Sequence, residues 1–112
     1  MNIKEAYKKE ALKCLSDIDS SLKKLSKGSK DKEVLFNIYK AAHTLKSSSF
    51  QMGFYSIGYL SHLMSSLLKE ASSGKAKLTR DKVLFLEDFY GSLKKSLDYV
   101  LKDKDYEIDK SL

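Results

Sequence analysis

Of the side chains in this chain able to carry a transferable group, His43 is the best placed. It stands in Ala41-Ala42-His43-Thr44-Leu45-Lys46-Ser47-Ser48-Ser49, between alanines and a short polar run. Val34, Ile38, Ala41, Ala42 and Leu45 recur at steps of three and four, with Leu35 on the shoulder, and so mark one apolar helix face. His43 projects roughly opposite that face. Lys40, Lys46 and Ser47 lie one turn away on either side and surround the ring. Imidazole titrates near neutrality, so a neutral ring nitrogen is available as a nucleophile. A solvent-facing ring among lysines and small residues suits a group that takes up a phosphoryl unit and hands it on.

Other chemistries find less support. The second histidine, His62, falls on the neighbouring helical segment, so the two rings could approach. Two histidines without a carboxylate or thiolate nearby make a poor zinc site, where four ligands are usual, and no metal or other cofactor is expected. No histidine–carboxylate spacing of the zinc-protease type occurs. There is no glycine-rich phosphate loop, so ATP binding by this chain itself is not expected. A serine triad needs a buried carboxylate behind the histidine, and nothing marks one. Cys14 belongs to an apolar stripe and reads as a small buried hydrophobe.

At 112 residues the chain is long enough for one domain and one modest core. No apolar run approaches the ~20 residues of a membrane span. The charged start, Met1 to Glu10, lacks the apolar centre of a secretory signal. A single cysteine excludes an intramolecular disulfide. Together these features point to the cytoplasm. The net charge of +6 admits nucleic acid, an anionic surface or an acidic protein as partner. Fifteen acidic residues are interspersed with the basic ones, so most lysines read as solvated outer faces. Nucleic acid is not expected, because binding it needs a basic stripe and the lysines are dispersed.

The absence of proline and the presence of only five glycines favour long helices. The first pattern covers about Asn2 to Ser26, through Ile3, Tyr7, Ala11, Cys14, Ile18, Leu22 and Leu25, with Leu12 and Leu15 widening the face. Lys27-Gly28-Ser29-Lys30 is a turn, and Asp31 caps the second helix, which runs from about Lys32 to Phe50 or Gln51. The periodicity changes phase at Gly53. The third helix covers about Tyr55 to Ser72, with Ile57, Leu60, Leu63, Met64, Leu67, Leu68 and Ala71 as its apolar face. Gly58 would let a neighbouring helix come close. After Ser73-Gly74-Lys75, Thr79 caps a fourth helix that runs to about Leu101 through Val83, Leu86, Phe89, Tyr90, Leu93, Leu97 and Val100. Short connections make neighbours antiparallel, which predicts an all-α, up-down-up-down four-helix bundle over residues 1–101. Residues 102–112 are expected to be a charged tail or the start of a further helix.

Ala42-His43-Thr44-Leu45-Lys46-Ser47-Ser48-Ser49 followed by Met52-Gly53-Phe54 resembles the histidine phosphotransfer (HPt) domain. The wording is nearest to the N-terminal phosphotransfer domains of bacterial chemotaxis histidine kinases. The likeness continues through Ser61-His62-Leu63-Met64-Ser65-Ser66-Leu67-Leu68-Lys69-Glu70-Ala71 and more loosely into the fourth helix, over residues 3 to 101. It agrees with the bundle reached from periodicity.

The resemblance implies that His43 is phosphorylated through the ring nitrogen farther from the backbone. A separate ATP-binding kinase domain would supply the phosphoryl group, and a receiver-domain aspartate would remove it. Lys46 would offset charge on the phosphoryl oxygens. Ser47 stands where the family usually has glycine and still leaves room for a partner. Ser65 stands where the chemotaxis kinases normally carry a glutamate that accepts the imidazole N–H, so the domain is expected to be a slow phosphoacceptor from ATP-bound kinase or to be loaded mainly by another route. His62 matches the family's second histidine, and reads more simply as a surface residue than as a secondary partner of the ring. Phe36, Tyr39, Lys40 and Phe50 form a candidate docking surface for a receiver, although Tyr39 could equally pack against a neighbouring helix. The alternative is a degenerate docking module with little or no phosphotransfer. The isolated domain is expected to be a monomer, either whole or the front of a larger kinase.

Overall fold

The computed structural model describes residues 2–74 and 77–102. Four helices follow in order: α1 (Ile3–Ser26), α2 (Lys32–Gln51), α3 (Tyr55–Ser72) and α4 (Arg80–Lys102). The starts of α1, α2 and α4 are fixed by short polar side chains that take up orphan backbone N–H groups, whereas α3 starts after Phe54 without a side-chain cap. The Asn2 side chain accepts from the Glu5 amide at 2.8 Å, Asp31 from Glu33 at 2.9 Å, and Thr79 from Lys82 at 3.2 Å. The first two helices stop in the same way. Gly28 and Gly53 take φ of +97° and +81°. That left-handed step lets the Ser29 amide reach the Lys24 carbonyl and the Phe54 amide reach that of Ser49. Of the tail expected over residues 102–112, Lys102 ends α4, and residues 103–112, like Lys75, lie outside the described residues.

Each helix packs against its two neighbours around the bundle, α1 on α2, α2 on α3, α3 on α4 and α4 on α1. This is the expected up-down-up-down bundle, and no strand occurs among the described residues. No helix among them is long and apolar enough to cross a membrane. The core joins Ile18, Leu22, Ile38, Leu45, Met64, Leu68, Leu86, Leu93 and Leu97. All six positions assigned to the buried face of α2 are buried. Polar ties cross the interfaces too. The Tyr7 and Ser49 hydroxyls share a buried hydrogen bond of 2.8 Å between α1 and α2, and Ser26 donates to Glu87 of α4.

Three expectations about faces are corrected. Ile3 is 76% exposed. The Tyr7–Ser49 contact sets the antiparallel register, and one turn before Tyr7 the chain has passed the end of α2. Leu12 is also exposed, because it sits roughly 100° around the helix from Ala11, outside the buried arc. On α3 the buried set is Ile57, Gly58, Ser61, Met64, Ser65 and Leu68, while Leu60, Leu63, Leu67 and Ala71 are only partly covered. Three of the six buried residues of α3 are small, and at Gly58 α2 comes close. A Cβ on Gly58 would stand 2.8 Å from Cε1 of Phe50, so that ring already occupies the space. Serine can line such a face because its hydroxyl is satisfied within its own helix: Ser61 donates to the Ile57 carbonyl at 2.8 Å and Ser65 to that of His62 at 3.0 Å.

Candidate functional site

Midway along α2, His43 is exposed, on the side away from Ala41, Ala42 and Leu45. Those three are buried, so the helix carrying the ring is held by the core and cannot easily turn. Lys40 and Ser47 are exposed and Lys46 is half-buried. The Ser48 hydroxyl is used inside the helix, donating to the Thr44 carbonyl at 3.1 Å. Beside the ring on the α1 side lies a polar groove of about 460 Å³, lined in part by Lys40 and Thr44 but not by His43. The imidazole is exposed, so a reacting partner can approach it from solvent.

The position of α3 relative to the ring follows from one contact. Phe50 packs over Gly58. His43 precedes Phe50 by seven residues, and Ser65 follows Gly58 by seven. Seven residues are two helical turns, roughly 10.5 Å. In antiparallel helices the two steps run the same way, so His43 and Ser65 lie at one level, each on the face that its counterpart in the Phe50–Gly58 pair occupies. Ser65 is buried, at 4% exposure, and its hydroxyl is committed to the His62 carbonyl. Among the described residues, no hydrogen bond reaches the His43 ring.

Tyr39 is what does reach it. Its ring stacks on His43 with centroids 5.8 Å apart and planes 22° from parallel. Tyr39 is half-buried and packs on the core, and Phe36 lies 6.4 Å from its ring. Of the two uses foreseen for Tyr39, receiver docking and packing, the structure shows the packing. The stacking itself was not foreseen, although the signal was present: Tyr39 is one turn before His43, the spacing at which helical side chains meet. Phe36 is 54% exposed and Phe50 40%. Phe50 belongs as much to the α2–α3 seam as to the surface, since it covers Gly58 and meets Tyr55 at 6.2 Å. His62 is exposed, and the structure stacks His43 on Tyr39 rather than on His62.

No group of three or more His, Cys, Asp or Glu side chains able to hold a metal ion occurs among the described residues. Cys14 is buried, and burial pushes its thiol up to about 11, helped by Glu10 and Asp17 and opposed by Lys13. It is a packing residue, not a reactive thiol. Burial raises the Tyr90 hydroxyl of α4, and the negative charges of Asp19 and Asp98 push it the same way.

Comparison with known proteins agrees with this geometry. The family model described as Hpt domain matches residues 2–100. The chemotaxis protein CheA of Salmonella typhimurium is 37% identical over 91 residues, covering 78% of this chain and 14% of that protein. CheA of Halobacterium salinarum is 26% identical over 105 residues, covering 94% of this chain and 16% of that protein. The chain thus spans about a seventh of the length of these relatives. Among solved structures, the CheA phosphotransferase domain from Thermotoga maritima superimposes with a TM-score of 0.80 at 23% identity, over 91% of this chain and 99% of that domain. A computationally redesigned four-helix bundle gives a TM-score of 0.77 at 22% identity, over 85% of this chain and 93% of that one.

Proposed function

This chain belongs to the Hpt domain family, and from that premise we propose that His43 carries a phosphoryl group between two partner domains in chemotaxis-type two-component signalling. The unit is residues 1–101. The outer ring nitrogen, Nε2, attacks the γ-phosphorus of ATP held by a separate kinase catalytic domain. The Nε2–P bond forms, the bridging P–O bond breaks, and ADP leaves with the electron pair. A receiver-domain aspartate oxygen then attacks the same phosphorus, and the P–N pair returns to the ring. Nδ1 keeps its proton during loading.

The observation that carries this reading is the exposure of His43 on a core-anchored helix of an Hpt bundle. Lys46, one turn on and half-buried, would offset phosphoryl charge. Ser47, exposed and small, leaves the approach open. Lys40 and Phe36 extend the face toward a receiver's acidic pocket, where a cation speeds encounter more than it tightens binding. His62 is an exposed bystander on this reading.

Ser65 favours a second reading. Its hydroxyl is tied to the His62 carbonyl, so the ring has no carboxylate to fix its tautomer and raise its nucleophilicity. A docking module that is phosphorylated slowly or not at all fits that feature. One experiment separates the two. The protein is incubated with a chemotaxis kinase catalytic domain and labelled ATP, beside His43→Gln. Acid-labile, base-stable label on the wild type alone supports phosphotransfer. Label on both relocates the site, and label on neither leaves docking.

A further inference from the structure

An exposed imidazole turns freely about its side-chain torsions unless something holds it, and each extra orientation lowers the fraction poised to react. Ser65 does not hold the His43 ring, because its hydroxyl bonds within α3. The face of Tyr39 lies against it, at 5.8 Å and 22°. Tyr39 is itself anchored, half-buried against the core and beside Phe36. We propose that Tyr39 is the positioning residue for phosphoryl transfer at His43, holding the imidazole plane by stacking where a hydrogen-bonded carboxylate is lacking.

This rests on the phosphotransfer role proposed for His43. A neutral ring attacks with its Nε2 pair while Nδ1 keeps its proton, so the ring becomes formally cationic as the N–P bond forms and the bond to ADP breaks. A tyrosine face within ~6 Å favours that charge as well as the orientation. At an exposed site the charge effect alone corresponds to about two- to fivefold in rate, and restricted rotation adds to it.

The test uses the 112-residue protein with Tyr39→Phe and Tyr39→Leu. Phenylalanine keeps the face and leucine removes it. Phosphorylation by a kinase catalytic domain in trans is resolved into kcat and KM for this protein as substrate. Tyr39→Leu is expected to lower kcat roughly three- to tenfold with KM little changed, and Tyr39→Phe to stay within about twofold of wild type. A raised KM with unchanged kcat would make Tyr39 a docking residue and overturn the proposal. Should Tyr39→Leu fail to fold, proton NMR of the wild type decides. Stacking requires upfield-shifted His43 ring protons that show cross-relaxation to the Tyr39 ring, and their absence refutes it. Labelling of His43→Gln would instead overturn the phosphotransfer reading itself.

Discussion

Ser65→Glu should make this domain a faster phosphoacceptor, and the structure sets the terms. The Phe50–Gly58 contact places Ser65 and His43 at the same level, two turns along the same pair of helices. A glutamate side chain at 65, longer than serine by two carbons, is expected to meet an imidazole N–H of His43. The serine bond to the His62 carbonyl would be lost, but that carbonyl lies inside a helix and keeps its backbone partner, so the loss is small. A charge-assisted hydrogen bond contributes about 1.5–3 kcal/mol. If it is stronger to the ring in the transition state than in the resting ring, the rate rises roughly ten- to a hundredfold. The site is only 4% exposed, so the carboxylate has two fates. Paired with His43 it is tolerated; unpaired it costs several kcal/mol of stability.

The assay is kcat/KM for phosphorylation by a kinase catalytic domain, read with the melting temperature and with nitrogen-15 shifts of the His43 ring, which report the tautomer. The expected result is a faster reaction, a ring locked as the Nδ1–H tautomer, and little change in melting temperature. A folded variant with wild-type kinetics would refute the reasoning that the missing carboxylate limits this domain. The double variant Ser65→Glu, Tyr39→Leu sharpens the test. If a carboxylate and a stacked ring do the same orienting work, the leucine change should cost less once the glutamate is present.

Two further outcomes test the packing. Gly58→Ala gains helix propensity of about 1 kcal/mol, yet its new methyl would stand 2.8 Å from the Phe50 ring. A net loss of roughly 1 kcal/mol is expected in urea unfolding, recovered when Phe50 is also cut to leucine; a gain in the single variant would show that the ring moves aside freely. The Cys14 thiol is raised to about 11 in the folded protein from an ordinary 9.0, so the folded state holds that proton more tightly. Its contribution is whole below pH 9 and fades as pH climbs toward 11, by up to roughly 2–3 kcal/mol. Urea midpoints of wild type and Cys14→Ala across that range isolate it, and native-state alkylation at pH 8 as fast as in urea would contradict the burial argument.

The helices were legible in the sequence because their signals are local: Asp31 and Thr79 at starts, Gly28 and Gly53 past ends, and the run Val34 to Leu45 for the face of α2. The exposure of His43 was legible for the same reason, since it falls outside the apolar stripe of α2. What failed was a rule that equates burial with large apolar side chains. It assigned Ile3 and Leu12 to the core and Leu60, Leu63 and Leu67 to the inner face of α3, and it passed over Gly58, Ser61 and Ser65. Gly58 is inside because the Phe50 ring of α2 lies against it, a condition set by the partner helix and not by α3's own composition. The consequence reaches the chemistry. Ser65 continues the small-residue seam begun at Gly58, and the hydroxyl that lets it be buried is spent on its own helix. On the proposed reading, the residue buried in this seam is thus the one that stands where a carboxylate would orient His43. Orientation of the ring then has to come from α2 itself, and on α2 the side chain placed to give it is the tyrosine one turn before.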